Sequence, residues 1–238
     1  DIMLVAPCRS LGKGNLKGIR QLLSNWSGSV GGAICLESVE LGRLNYYSDG
    51  MIRAEIECRS LGAEDPWERH RKPNAILVIN EVINAILALR LPQRPRTQIV
   101  IGKIAGGFDH GDIAYDAEMG LEIRSDSDAM VKSLYADIRD IVQEIDKQFD
   151  VDLRISRISN LNATRLRFNH PLVKCATRIL KQLGIEAFIE PAENVLSIFL
   201  HRNIPAVTLG LTHGDNFHQE GAMIEIEPLY RGIAQIPA

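Results

Sequence analysis

The stretch from Asn203 to Ile226 joins an apolar strand to a loop whose side chains can bind metals or protons. After Pro205, the apolar run AVTLGL predicts a buried strand. The loop that follows contains four ionisable side chains within eight residues: His213, Asp215, His218 and Glu220. Such side chains at the C-terminal end of a strand are suited to metal binding or proton transfer. The HxDxxH spacing matches no established metal motif, so a polar surface loop is the alternative interpretation.

The composition narrows the class of protein. With 238 residues, of which 45% are hydrophobic and 24% charged, the chain can form one large or two modest globular domains. A net charge of -3 gives no support for a nucleic-acid partner. The longest apolar stretch, residues 75–91, contains polar and charged side chains, so the sequence predicts no membrane-spanning helix and no membrane partner. The four widely spaced cysteines, without CxxC or a visible signal peptide, predict reduced, buried thiols in a cytoplasmic protein.

The two ends of the chain show the strands and helices of an α/β domain. Residues 2–6 and 33–36 predict buried strands, with an amphipathic helix between them. The second strand ends at Glu37, whose carboxylate is either a ligand or a solvated strand tip. The C-terminal part adds a helix over residues 170–184, a strand over residues 185–189 and a short helix around residues 196–200.

The middle of the chain follows a different pattern, and the change begins near residues 49–50. Apolar residues alternate with charged ones in several segments, which predicts strands with one wet face, and two longer segments carry a helical apolar stripe. The predicted order is β-α-β-β-α-β, the order of a ferredoxin-like unit. The sequence therefore predicts a discontinuous α/β domain over residues 1–49 and 159–238, with a ferredoxin-like domain inserted over residues 50–158.

Several motifs resemble those of one family of co-catalytic zinc hydrolases. HRNIPAVTLGLTHGDNFHQE is similar to the family's GIPAxxxG strand and the histidine after it, GNLKGIRQLL to its GDLRGxRxxL segment, and AICLES to a strand that ends in a ligand carboxylate. This family contains tripeptidase T, acetylornithine deacetylase, succinyl-diaminopimelate desuccinylase and carboxypeptidase G, and the resemblance covers nearly the whole chain. It implies a partial zinc-peptidase-like α/β catalytic domain with an inserted ferredoxin-like dimerisation domain.

The resemblance also implies function. Glu37 and His218 stand at positions of zinc ligands, and Glu220 is the acidic residue that follows the histidine. A homodimer through the inserted domain is implied, because dimerisation is the common role of that domain in the family. The expected ligand is a small peptide or an acylated or carbamoylated amino acid, and the motifs do not select among these substrates.

Departures from the family pattern fall on positions that catalysis needs. Ser10 and Leu11 occupy the positions of two glutamates, a general base and a metal ligand, and neither side chain supplies a carboxylate. Asp65 stands where the family has a histidine that stabilises the tetrahedral intermediate, and its charge would repel an oxyanion. The family's HxD ligands and bridging aspartate lie upstream of the first strand. Because a catalytic zinc normally has three protein ligands, the sequence predicts an incomplete zinc site.

Two interpretations follow from these departures. In the first, the chain is a truncated piece of a metal-dependent peptidase or amidohydrolase that cleaves peptide or N-acyl amino acid amide bonds. In the second, it is a catalytically degenerate relative, a non-catalytic protein that dimerises or binds a ligand. Truncation explains the missing HxD but not the replacements at Ser10, Leu11 and Asp65, so the residues within the chain favour loss of hydrolysis.

Overall fold

The computed structural model describes residues 1–10, 12–60, 72–149, 151–216 and 220–236. The chain divides into two compact units, each treated separately below. Unit 1 consists of residues 1–49 and 161–238, and unit 2 consists of residues 50–160.

The elements are as follows in chain order. The strands are β1 (Ala33–Glu37), β2 (Leu44–Asn45), β3 (Tyr47–Ser48), β4 (Gly50–Arg59), β5 (Thr97–Gly106), β6 (Asp116–Ser125), β7 (Asp152–Leu161), β8 (Thr164–Arg165), β9 (Ala206–Gly210), β10 (Gly214–Asp215) and β11 (Met223–Ile224). The helices are α1 (Lys17–Asn25), α2 (Ala75–Leu87), α3 (Asp128–Phe149), α4 (Pro171–Gln182), α5 (Leu196–His201) and α6 (Glu227–Ile233).

Unit 1 is built on a three-stranded sheet with the order β1-β9-β2. β1 and β9 run parallel, from Ala33 opposite Ala206 to Glu37 opposite Gly210. The central strand β9 is buried along its whole length, as expected for a strand covered on both faces. Because parallel strands end at the same edge of a sheet, Glu37 lies beside the end of β9, where the loop with the histidines begins.

Helix α4 of unit 1 begins and ends at residues that are typical of helix termini. His170 accepts a hydrogen bond at Nδ1 from the backbone N–H of Leu172, and Pro171 occupies the first position of α4. Gly184 follows the helix with a positive φ of 63°, which stops it. The buried side of α4, including Val173 and Leu180, packs with β9 in the core of this unit.

A short ladder in unit 1 joins the two segments of the chain that flank unit 2. β3 and β8 pair antiparallel, with Tyr47 opposite Arg165 and Ser48 opposite Thr164. The Ser48 hydroxyl donates to the Asn162 carbonyl over 2.9 Å, and the guanidinium carbon of Arg165 lies 4.7 Å from the centre of the Tyr47 ring. The ladder therefore holds together the two points at which the chain leaves unit 1 and re-enters it.

Unit 2 has a four-stranded sheet with the order β5-β6-β4-β7, and helices α2 and α3 pack on it. β4 and β6 pair antiparallel over ten residues, from Gly50 opposite Ser125 to Arg59 opposite Asp116. Alternate residues of these strands are buried, and they form one core with Val78 and Ile79 of α2 and Ile138 of α3. The β-α-β-β-α-β prediction and the α/β fold class are confirmed.

The other alternate positions of this sheet carry charged side chains. Glu122 of β6 forms ion pairs with Arg53 of β4 and with its neighbour Arg124. The Lys103 ammonium lies 2.6 Å from a carboxylate oxygen of Glu118 on the adjacent strand. Cross-strand pairs of opposite charge stabilise a sheet by a few tenths of a kcal/mol to ~1 kcal/mol each. The predicted wet face is therefore lined with such pairs.

Three local predictions are wrong. Residues 2–6 form no strand, and Ile2 and Leu4 are 95% and 92% exposed. Residues 185–189 contain only one isolated bridge, between Phe188 and Arg43. α2 ends at Leu87 rather than near residue 91, because the N–H of Leu89 bonds over 3.1 Å to the carbonyl of Ile86, three positions back, which tightens and closes the last turn.

The cysteines divide equally between the interior and the surface. Cys35 and Cys58 are buried, but Cys8 and Cys175 are exposed, so the prediction of buried thiols holds for two of the four. No helix in the described part of the chain has the length and apolar character needed to cross a membrane.

Candidate metal-binding site

Glu37 lies where the sequence predicts it, at the C-terminal end of β1. Its backbone carbonyl accepts a hydrogen bond from the N–H of Leu211 over 3.0 Å, which extends the pairing of β1 with β9 by one step. The residue is half-buried. This is the position that the resemblance assigns to a metal ligand.

Asn194 holds the Glu37 carboxylate in place. The amide Nδ2 of Asn194 donates to Oε1 of Glu37 over 2.8 Å and lies 3.2 Å from the Thr208 hydroxyl oxygen. The amide oxygen accepts from the backbone N–H of Leu196 over 2.9 Å, at the first turn of α5. One side chain thus bonds to the ends of β1 and α5 and the middle of β9, and a hydrogen bond to a carboxylate is stronger than one between neutral groups.

The buried base of this cluster is formed by Cys35 and Thr208. The two residues lie opposite each other in the β1–β9 pairing, and Thr208 is fully buried. Burial raises the pKa of the Cys35 thiol to about 12, which the Thr208 hydrogen bond opposes and the Glu37 charge reinforces. Cys35 is therefore an uncharged thiol at neutral pH in the metal-free protein.

The loop after β9 forms a small hairpin. β10 and β11 pair antiparallel, with Gly214 opposite Ile224, and the N–H of Glu225 donates to the carbonyl of His213 over 2.8 Å. His213 and Asp215 are exposed. His218 falls between the two strands and lies outside the described residues. The proximity of Glu37 and His218, and their role as ligands, therefore stay predictions.

The residues that the structure describes do not fit a zinc pair. Nowhere in the described ranges is there a group of three or more His, Cys, Asp or Glu side chains able to hold a metal ion. Ser10, which the resemblance aligns with the family's general base, donates its hydroxyl to the Pro7 carbonyl over 3.1 Å. Leu11 and Asp65 lie outside the described residues. Within the described chain, Glu37 is the one predicted ligand in place, and a single carboxylate does not make a zinc site.

The sequence interpretation missed Asn194 and Thr208. A signal existed for each residue. Asn194 precedes the apolar segment LSIFL, as a helix-capping residue would, and Thr208 is a polar residue inside the apolar strand AVTLG. A buried hydroxyl needs a partner, and Asn194 supplies it. Neither signal, however, identifies Glu37 as the third member of the cluster.

Comparison with solved structures gives matches across both units. A tripeptidase of Staphylococcus aureus is 19% identical, with a TM-score of 0.65 over 94% of this chain and 59% of that one. Aminopeptidase PepT of Bacillus cereus is 15% identical, with a TM-score of 0.64 over 87% of this chain and 55% of that one. A Bacillus subtilis protein described as a dinuclear metal-binding peptidase from the M20 family is 15% identical, with a TM-score of 0.56 over 92% of this chain and 60% of that one.

These likenesses are of structure rather than of sequence. No protein-family model matches the sequence, and no curated protein matches it. The chain spans between 55% and 60% of the length of the three structures above. The resemblance that the motifs indicate is confirmed for the fold: the chain has the fold of a part of these peptidases, an α/β domain with a ferredoxin-like insertion.

Proposed function

We propose that this chain is a metallopeptidase- or amidohydrolase-type protein that keeps the fold and one metal-ligand position but has lost hydrolysis. Metallopeptidases and amidohydrolases of this type cleave a peptide bond or the amide bond of an N-acyl amino acid. One observation supports the proposal most directly. Glu37 is held at its strand end by a charge-assisted hydrogen bond from Asn194, whereas Ser10 bonds to the Pro7 carbonyl and supplies no carboxylate. A ligand position without a general base can contribute to metal binding, but it cannot activate water efficiently.

The test of the metal site is the zinc content of the protein after incubation with zinc and gel filtration. Glu37→Gln is the informative variant, because a glutamine can still accept the Asn194 hydrogen bond but gives up the carboxylate. His218→Ala removes the second predicted ligand. The matched controls are Glu186→Gln, an exposed glutamate of unit 1, and His213→Ala, the exposed histidine of the same loop.

The outcomes separate a retained site from a lost one. We expect substoichiometric zinc that falls further in Glu37→Gln and His218→Ala and is unchanged in both controls, with no hydrolysis of dipeptides or N-acetyl amino acids above background. Stoichiometric zinc together with turnover would refute the loss of hydrolysis. Zinc that is equal in all five proteins would refute the assignment of Glu37 and His218.

We also propose that the protein forms a homodimer through unit 2, as a dimerising or ligand-binding relative would. β5 is an edge strand of the sheet, and its side chains Val100 and Ile104 are 39% and 59% exposed. An open edge with exposed apolar side chains favours pairing with a second copy.

Sedimentation equilibrium tests the dimer. Ile104→Lys should shift the protein from dimer to monomer, because the ammonium group would be buried without a partner in the interface. The matched control is Ile224→Lys, at an isoleucine of unit 1 that is 51% exposed. This variant should remain dimeric. A monomeric wild-type protein, or equal behaviour of the two variants, would contradict the proposal.

A further inference from the structure

A cleft with a volume of about 580 Å³ lies between α1 and α5 in unit 1. Four basic side chains line it, two from α1 and two at the end of α5: Lys17, Arg20, His201 and Arg202. The described residues that line the cleft include no acidic side chain. The whole chain carries a net charge of -3, so this concentration of positive charge is local and does not reflect the overall composition.

Backbone contacts position the two guanidinium groups. Nε of Arg20 donates to the carbonyl of Asn15 over 3.0 Å, just before α1 begins. Nη1 of Arg202 donates to the carbonyl of Leu23 in the last turn of the same helix. Each arginine is thus held by the backbone at one end of α1. A planar guanidinium that is already oriented loses less conformational entropy when it binds a phosphate or carboxylate.

The two arginines are also close enough to repel each other. Partial burial, and then the charge of Arg202, lower the pKa of Arg20 below its usual value. Like charges in one cleft destabilise the empty protein, and an anion that binds between them relieves that repulsion. Ile198 contributes an apolar wall to the cleft, which can contact the uncharged part of a ligand.

We propose that the cleft between α1 and α5 binds a small phosphate-bearing molecule through Lys17, Arg20 and Arg202. Two guanidinium groups and an ammonium group suit an anion with several charged oxygens, because charge-assisted hydrogen bonds to phosphate are stronger than those between neutral groups. β1 and β9 run parallel, so Arg202, which precedes β9, lies towards the edge of the sheet where these strands begin. Glu37 lies at the opposite edge, where β1 ends, and the cleft is therefore distinct from the candidate metal site. The proposal does not depend on the proposed function.

Isothermal titration calorimetry with pyrophosphate tests this site at low salt. Arg20→Gln and Arg202→Gln should each weaken binding about tenfold or more, since each removes charged hydrogen bonds. Lys17→Gln, at an exposed position, should weaken binding by a smaller factor without affecting the fold. Arg178→Gln makes the same change of charge at an exposed position of α4 and should leave the affinity unchanged.

Citrate binding, the dependence of affinity on salt and two replacement variants complete the test. Citrate, a tricarboxylate of similar charge, should bind more weakly than pyrophosphate if the site selects phosphate. Affinity should fall with added salt, because the cleft is open to solvent. If Arg202→Gln unfolds, as judged by circular dichroism, Arg202→Lys and Lys17→Gln carry the test. Absence of pyrophosphate binding, or an equal loss in Arg178→Gln, overturns the proposal.

Discussion

We expect Asn194→Asp to destabilise the protein, because the Asn194 amide donates a hydrogen bond to the Glu37 carboxylate. Asn194→Asp replaces the donating amide by a carboxylate oxygen at the position that now lies 2.8 Å from Oε1 of Glu37. The new side chain can still accept from the N–H of Leu196, because aspartate is as good a helix-capping residue as asparagine. The substitution therefore changes the contact with Glu37 while it keeps the contact with α5.

The expected loss of stability has two parts. A hydrogen bond to a charged group contributes about 1.5–3 kcal/mol. The facing carboxylates add a repulsion, which solvent screening reduces at this half-buried position. We therefore expect Asn194→Asp to lower the free energy of unfolding by about 3 kcal/mol at pH 7.

The loss should depend on pH in a defined direction. In the variant, protonation of either carboxylate removes the repulsion and allows a hydrogen bond between the two side chains. Acidification therefore recovers part of the stability that the variant lacks at neutral pH. The deficit relative to wild type should be smaller at pH 4 than at pH 7.

Urea unfolding at both pH values measures this deficit. Asn169→Asp, at an exposed position of unit 1, makes the same change of charge and should alter the free energy of unfolding by less than about 0.5 kcal/mol. If Asn194→Asp lowers the free energy of unfolding at pH 7 by less than about 0.5 kcal/mol, the contact with Glu37 does not stabilise the protein. A loss of stability that increases on acidification would lead to the same conclusion.

Three further predictions concern burial and packing. Iodoacetamide at pH 8 should alkylate the exposed Cys175 in the native protein and leave the buried Cys35 unmodified. Burial raises the pKa of Cys35 to about 12, so little of its reactive thiolate forms at pH 8. Mass spectrometry of the alkylated protein measures the difference. Gly232→Ala should lower the melting temperature, because a Cβ there would clash with the carbonyl oxygen of Leu211. Equal melting curves would contradict that contact. Ile138→Ala, at a fully buried position of α3, should cost about 2–5 kcal/mol in urea unfolding, and a loss below 1 kcal/mol would count against the core of unit 2.

The fold of unit 2 could be predicted because its elements are long and regular. In β4, the alternation from Ile52 to Cys58 has a period of two, and the half-buried and buried positions of the structure follow it. Helix α3 carries its apolar residues at helical spacing over 22 residues, and these positions are the buried ones. Local periodicity of this kind specifies both the element and its buried face.

Predictions failed where the outcome depends on distant residues. The run of apolar residues from Ile2 to Ala6 has strand-forming composition, but it pairs with no strand in the described structure. An apolar run without alternation does not specify a pairing partner. The contact of Asn194 with Glu37 spans 157 positions, so no local pattern indicates it. The end of β1 at Glu37 could be predicted, whereas the side chain that holds Glu37 could not.

The β3–β8 ladder has a consequence for how the chain tolerates its insertion. Ser48 and Thr164 are hydrogen-bonded although they are 116 positions apart. For a flexible chain, closing a loop of that length instead of one of about ten residues would cost only about 2 kcal/mol of entropy, because the cost grows with the logarithm of length. When the insert is itself folded, its chain has less conformational entropy to lose on closure of the loop. Unit 1 can therefore accommodate inserts of very different size at this point, and replacing unit 2 by a short linker between β3 and β8 should leave a module that folds by itself.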